Sequence, residues 1–174
     1  MVSPCRLGFP GLSIEDRNVE APVTLYDRSF AVERIRAAHA AIDQSGEDVI
    51  LVARREGLLS DPGAITPAIV RLVAFAEAGA DCLYAPGVRA EADIAAMVSA
   101  VTPRPLNVLV MDPRLSVAEL AELGVRRISV GGALARVAWA AVMATAEKIR
   151  AGSFDGLAAG ASGRQLNDVF GSFT

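Results

Sequence analysis

The residues able to do chemistry in this chain sit where apolar runs stop. Glu15-Asp16 follow the run Gly11 to Ile14, and Arg54-Arg55-Glu56 follow Val49 to Ala53. Ala85-Pro86-Gly87 end a third run, and Met111-Asp112 a fourth, which Asn107 interrupts; Gly131-Gly132 follow a fifth. Two adjacent acids could hold a divalent cation, directly or through water. An arginine can grip a carboxylate or phosphate with two parallel hydrogen bonds. A glycine pair opening a helix can present N–H groups to an anion. An amide inside an apolar strand destabilises unless it is bonded, so Asn107 serves either a ligand or a neighbouring strand end. The charged groups also have a plain account as solvated loop residues, and the glycine pair as a tight turn. His39 falls among helical alanines and reads as a surface or flanking residue, not a base.

The elements that position these residues repeat one pattern: a short apolar run, then an amphipathic one. Strands are predicted over 11–14, 49–53, 81–85, 105–111 and 127–130. Apolar residues recurring at three- and four-residue steps predict helices over 30–42, 65–78, 91–100, 116–123 and 133–150. Ser29 is the expected N-cap of the first. Ser116 with Glu119 reads as a capping box, and Gly79 suits a left-handed position after the second helix. The strands are apolar throughout instead of alternating, as in a parallel sheet buried on both faces. Such proteins place their chemistry at the carboxyl ends of the strands. Five β/α units fit either an open doubly wound sheet or part of a closed barrel. No G-x-G-x-x-G follows a strand, so dinucleotide binding lacks its fingerprint.

Composition narrows the function classes. Hydrophobic residues make up 52% of the 174-residue chain and aromatics 5%, which suits alanine-rich helices on aliphatic strands. The net charge of −3 comes without a basic, aromatic-laced patch, so no nucleic-acid partner is expected. No apolar run approaches the ~18 residues of a membrane span, and no membrane partner is expected. Cys5 and Cys82 fit no metal spacing, Cys82 reading as a small buried hydrophobe in a reducing, cytoplasmic protein. Residues 1–10 are expected to be irregular, 11–151 to form the β/α body, and 152–174 a tail with a short helix near Gln165 to Phe170.

Taken in order, the segments resemble the isocitrate lyase and phosphoenolpyruvate mutase (phosphonomutase) superfamily. Gly11-Leu12-Ser13-Ile14-Glu15-Asp16 resembles its G-x-x-I-E-D motif, and Val52-Ala53-Arg54-Arg55-Glu56 its A-R-T-D/E strand end. Glu77-Ala78-Gly79-Ala80-Asp81, Tyr84-Ala85-Pro86-Gly87, Pro105-Leu106-Asn107-Val108-Leu109 and Glu122 to Gly131 continue the match. The resemblance implies an α/β fold: an incomplete TIM-type (β/α)8 barrel of about five units, family strands four to eight, plus a terminal helix and tail. It implies Mg²⁺-dependent cleavage or formation of C–C or P–C bonds in small 2-oxo acids, enolates or phosphonates, in a dimer or tetramer. On that reading Arg54, Asn107 and Glu56 are catalytic, and Arg54, Asn107 and Gly131 contact the anionic substrate. Glu15 and Asp16 stand on the metal side.

The family's first three units, with the aspartates that bind Mg²⁺ most directly, have no counterpart before Gly11. The segment Arg17-Asn18-Val19-Glu20-Ala21-Pro22 lacks the K-x-C-G-H loop of isocitrate cleavage. Arg55 stands where the family has threonine, an extra positive charge expected to crowd the site. A complete β/α barrel takes about 250 residues, so a truncated record of a superfamily enzyme is expected. The alternatives are a catalytically inactive remnant or scaffold, and an open-sheet module binding an anion at Gly131-Gly132.

Overall fold

The computed structural model describes residues 10–21 and 24–171. The irregular N-terminus expected over 1–10 therefore lies, but for Pro10, outside the described residues, as does Cys5. The chain divides into two compact units, 1–130 and 131–174.

The first unit alternates strand and helix: β1 (Gly11–Glu15), α1 (Arg28–Ser45), β2 (Ile50–Arg54), α2 (Ile65–Glu77), β3 (Cys82–Tyr84), α3 (Glu91–Val101), β4 (Leu106–Leu109), α4 (Val117–Glu122) and β5 (Arg127–Ser129). All neighbours pair in parallel, in the order β1-β2-β3-β4-β5. This decides between the two architectures. A doubly wound sheet reverses its strand order at a switch point; here each strand lies beside its sequence neighbour throughout, as in one stretch of a β/α barrel.

Pleating sorts the strand residues by parity. Ile14 pairs with Ala53, Ala53 with Leu83 and Leu83 with Leu106, and this row faces the helices. It joins Ile35 of α1, Leu72 and Phe75 of α2, Ile94 and Met97 of α3 and Leu120 of α4 in one core. Phe75, Ile35, Leu72 and Leu83 are all at most 1% exposed, each contributing about 1.5–3 kcal/mol of burial. The opposite row is Glu15–Arg54–Tyr84–Asn107–Arg127.

Local sequence accounts for most element ends. Ser116 Oγ accepts from Glu119 N–H at 3.2 Å, and Glu119 Oε2 accepts from Ser116 N–H at 2.7 Å, the reciprocal bonds of a capping box. Gly79 has φ +102°, and a Cβ there would come within 2.4 Å of the His39 ring. His39 thus rests on the end of α2, with Asp43 3.5 Å from its Nε2. Gly87 brings two strand-end loops together: a Cβ on it would sit 2.7 Å from the backbone at Leu58 and Leu59. One expected cap is corrected. α1 begins at Arg28, after Asp27, with no side-chain cap bond, so Ser29 lies inside the first turn.

The second unit holds α5 (Ala133–Arg150), a 3-10 turn (Asp155–Ala159) and α6 (Gly163–Gly171). Lys148 and Arg150 occupy the last turn of α5, where cations complement the helix dipole. The 3-10 turn folds back onto α5, with Lys148 Nζ 3.5 Å from Asp155 Oδ1. Gln165 N–H donates to Ser162 Oγ at 3.2 Å and Gln165 Oε1 accepts from Ser162 N–H at 2.9 Å, so α6 also opens on a capping box. No residue of α5 is buried; Leu134, Val137, Trp139 and Met143 are exposed.

Candidate active site at the strand ends

Glu15 and Arg54 end β1 and β2 and are partners in the register, as are Arg54 and Tyr84, and Tyr84 and Asn107. Four polar side chains from four strands therefore stand in one row on the face opposite the helices. Arg54 is held from three sides. Its Nε lies 3.4 Å from Glu15 Oε2, it donates to Glu56 Oε1, and its guanidinium carbon sits 5.3 Å from the centre of the Tyr84 ring. Glu56 is 1% exposed, and its other oxygen accepts from Arg17 Nη2 at 3.0 Å. A buried carboxylate with both oxygens on guanidinium groups is satisfied, and it orients Arg54 at the strand end.

Asn107 is also 1% exposed. Its Nδ2 donates to Ser129 Oγ at 3.0 Å, tying β4 to β5, while its Oδ1 has no partner. The amide is thus half structural and half available to a donor. Cys82 is buried two positions before Tyr84. Burial pushes its thiol pKa up, against the pull of Arg127, so it is a poor nucleophile.

Asp16 has different employment from Glu15. It is 2% exposed and shares the helix-side parity of Leu12 and Ile14. Its Oδ1 accepts from Glu56 N–H at 2.8 Å and its Oδ2 from Arg71 Nη1 at 3.2 Å. Burial raises its pKa, against the lowering pull of the Glu56 N–H, Arg71 and Arg55. Arg71 Nη2 also donates to the Tyr26 carbonyl at 2.8 Å, so Asp16 and Arg71 bolt the loop after β1 to α2. Arg34 Nη1 donates to the Glu15 carbonyl at 2.6 Å, and the Arg34 guanidinium carbon lies 5.0 Å from the centre of the Tyr26 ring. Arg17, Arg34, Arg71 and Tyr84 were not singled out by the sequence reading. Tyr84 could have been, since it shares Arg54's parity; the arginines come from loop and helix positions that no strand pattern marks.

Arg55 corrects an expectation. Alternation turns it to the helix side with Leu51 and Ala53, where it is 5% exposed, so its charge does not crowd the row around Arg54. Gly131 and Gly132 belong to the second unit. There Gly131 has φ +51°, and the Gly132 carbonyl accepts from Arg136 N–H at 3.0 Å as α5 begins.

The donor set was tested against the expected Mg²⁺. Among the described residues no group of three or more His, Cys, Asp or Glu side chains could hold a metal ion. Both Asp16 oxygens are engaged, leaving Glu15 as the carboxylate on the open face. These residues by themselves do not fit a Mg²⁺ site.

Asp112 follows β4 and pairs with Arg114, whose Nη2 lies 2.6 Å from Asp112 Oδ2. Hydrogen bonds from Arg114 hold the Asp112 carboxyl at about 2. Carboxyl NMR should find that midpoint, and Arg114→Ala should return it toward the ordinary 3.8. The pKa is depressed, so the pair's small contribution is present above the ordinary value and lost as pH falls toward the depressed one. A midpoint unchanged by Arg114→Ala would break the assignment.

The phosphoenolpyruvate phosphomutase family model matches residues 3–150. The chain belongs to this family. A lyase/mutase candidate of Burkholderia cenocepacia J2315 is 42% identical, with a TM-score of 0.88 over 95% of this chain and 60% of that one. 2,3-Dimethylmalate lyase, a PEP mutase/isocitrate lyase superfamily member, is 29% identical at a TM-score of 0.79, over 95% of this chain and 59% of its own. Oxaloacetate acetylhydrolase bound to its product oxalate is 30% identical at a TM-score of 0.74, over 83% of this chain and 51% of its own. An uncharacterised protein of Mycobacterium tuberculosis is 32% identical over 127 residues, 72% of this chain and 46% of its own length. The chain thus spans about half the length of the curated relatives it matches. The five parallel strands and their helices match part of the phosphomutase-type barrel. No helix among the described residues is long and apolar enough to cross a membrane.

Proposed function

We propose that this chain carries the substrate-gripping part of a phosphomutase-family active site that breaks or forms C–C or P–C bonds in small 2-oxo acids, enolates or phosphonates. The row Glu15–Arg54–Tyr84–Asn107 carries the reading, with Arg54 oriented by a buried carboxylate. Arg54 grips a carboxylate or phosphonate through its planar fork. Glu56 positions it, and the open Asn107 Oδ1 accepts from a donor on the substrate or on bound water. Glu15 stands beside Arg54 on the open face, 3.4 Å from its Nε. The exposed apolar side chains of α5 support a homo-oligomer.

The absence of a metal-holding group among the described residues favours a second reading, a catalytically inactive remnant. Oxalate separates the two, since oxaloacetate acetylhydrolase holds it as product. Calorimetry on the natural protein, run with and without Mg²⁺, should show saturable oxalate binding that weakens at least ~10-fold in Asn107→Ala, a loss of about 1.4 kcal/mol. No heat of binding with or without Mg²⁺ would sink the enzyme reading and leave the remnant.

A further inference from the structure

The Arg54 fork has one free end. Its Nε faces Glu56 Oε1 and, at 3.4 Å, Glu15 Oε2. Its guanidinium lies over the Tyr84 ring, 5.3 Å from the centre. No acceptor among the described residues takes its Nη1 or Nη2. With the Nε edge occupied and one face covered, the pair left for an anion is Nη1 with Nη2, the end-on edge of the fork. Whatever keeps Glu56 to one bond with Arg54 therefore keeps that edge open.

The partner that does so is Arg17. Glu56 is 1% exposed, and its Oε2 accepts from Arg17 Nη2 at 3.0 Å. Backbone sets Arg17 on both sides. It bridges Leu25 in antiparallel fashion, with Tyr26 N–H donating to the Asp16 carbonyl at 2.8 Å and Asn18 N–H to the Thr24 carbonyl at 3.0 Å. Glu56 is set too, since its N–H donates to Asp16 Oδ1 at 2.8 Å. Without Arg17, Oε2 would be a buried carboxylate oxygen with no donor, a strongly destabilising arrangement. The donor already bonded to Glu56 is Arg54, and a carboxylate can take two parallel N–H bonds from one guanidinium. Those would come from Nε and one terminal nitrogen, which breaks the end-on pair.

We propose that Arg17 is a positioning residue for anion recognition: by holding Glu56 Oε2, it keeps Arg54 presenting Nη1 and Nη2 end-on to a carboxylate or phosphonate. The inference rests on the reading of Arg54 as the substrate grip. Arg17 acts through Glu56 and does not touch the ligand. Its side chain is 43% exposed, so its replacement leaves the helix-side core alone. The competing role is a direct grip on the anion by Arg17, and removing the Glu56 charge separates the two.

The test is calorimetric titration of the natural protein with oxalate. Arg17→Met keeps much of the stem and removes the charge; it should weaken oxalate about 10-fold, as the loss of one charged hydrogen bond does. Arg17→Lys still donates to Oε2 and should recover most of that loss. In a Glu56→Gln background, Arg17→Met should change affinity by no more than about 2-fold, because the residue it acts through is gone. Wild-type affinity in Arg17→Met overturns the proposal. So does a loss that persists undiminished in Glu56→Gln, since Arg17 would then grip the anion itself. If the wild type binds no oxalate, the proposed function fails, and crystals of wild type and Arg17→Met decide the role of Arg17; they also decide it if Glu56→Gln does not fold. Glu56 turned to give both oxygens to Arg54 in Arg17→Met supports the proposal, and an unmoved Glu56 and Arg54 overturn it.

Discussion

Arg54→Ala, made in the natural protein that contains this chain, is expected to lower kcat/KM by about 10³-fold or more while the protein still folds. Removing a single preorganised donor from a site where charge develops typically costs about 10²–10³-fold, and Arg54 offers a bidentate fork besides. The fold should survive because the Arg54 side chain is 34% exposed and lies outside the helix-side core. Glu56 also keeps its second partner, Arg17, at 3.0 Å, so the buried carboxylate is not stranded. Arg54→Lys should recover only part of the loss, since an ammonium supplies a point charge without the planar fork. Activity on the small 2-oxo acids and phosphonates of the proposed function, and circular dichroism on the same samples, make the check. An unchanged rate would take Arg54 out of the site; a collapsed fold would make it structural.

How much of this was legible in the sequence follows from the range of the interactions. Strand-end placement picked out Glu15 and Arg54, and the break in an apolar run picked out Asn107, because a buried parallel strand is apolar and a charge at its end or an amide inside it stands out. The alignment of Glu15, Arg54 and Asn107 in one row was not legible. It depends on the register of four strands, which hydrophobic pattern alone does not set across β/α crossovers. Alternation did hold the answer for Arg55: the residue after a face-inward Arg54 must turn the other way. Asp16 looked like a second metal-side acid because it adjoins Glu15. Its real partners are Glu56 and Arg71, 40 and 55 positions along the chain. No local pattern on α2 distinguishes Arg71 from an ordinary solvated arginine. The capping box at Ser116 was legible because all its atoms lie within four residues. Ser29 misled for the complementary reason: α1 starts without any side-chain cap.

That reassignment gives Asp16 the largest expected effect on stability. Asp16→Ala should destabilise by about 3–5 kcal/mol, the usual consequence of removing one partner of a buried ion pair, and lower the melting temperature by roughly 6–20 °C. Three groups lose by it. The Glu56 N–H is left buried without an acceptor, Arg71 keeps only the Tyr26 carbonyl, and Arg55 loses the neighbour that most favours its charge. Asp16→Asn keeps an acceptor for the Glu56 N–H and should recover about half of the loss, since a buried unsatisfied donor costs about 1–3 kcal/mol. The pH dependence has a definite sign. Burial raises the Asp16 pKa above 3.8, so what this group's titration contributes to stability is full below that value and fades as pH rises through the raised one. The gap between wild type and Asp16→Ala should therefore narrow from about pH 4 toward neutrality. A gap that widens over that range in urea melts would mean that Arg71 and the Glu56 N–H outweigh burial, and that Asp16 is held as a full anion behind the site.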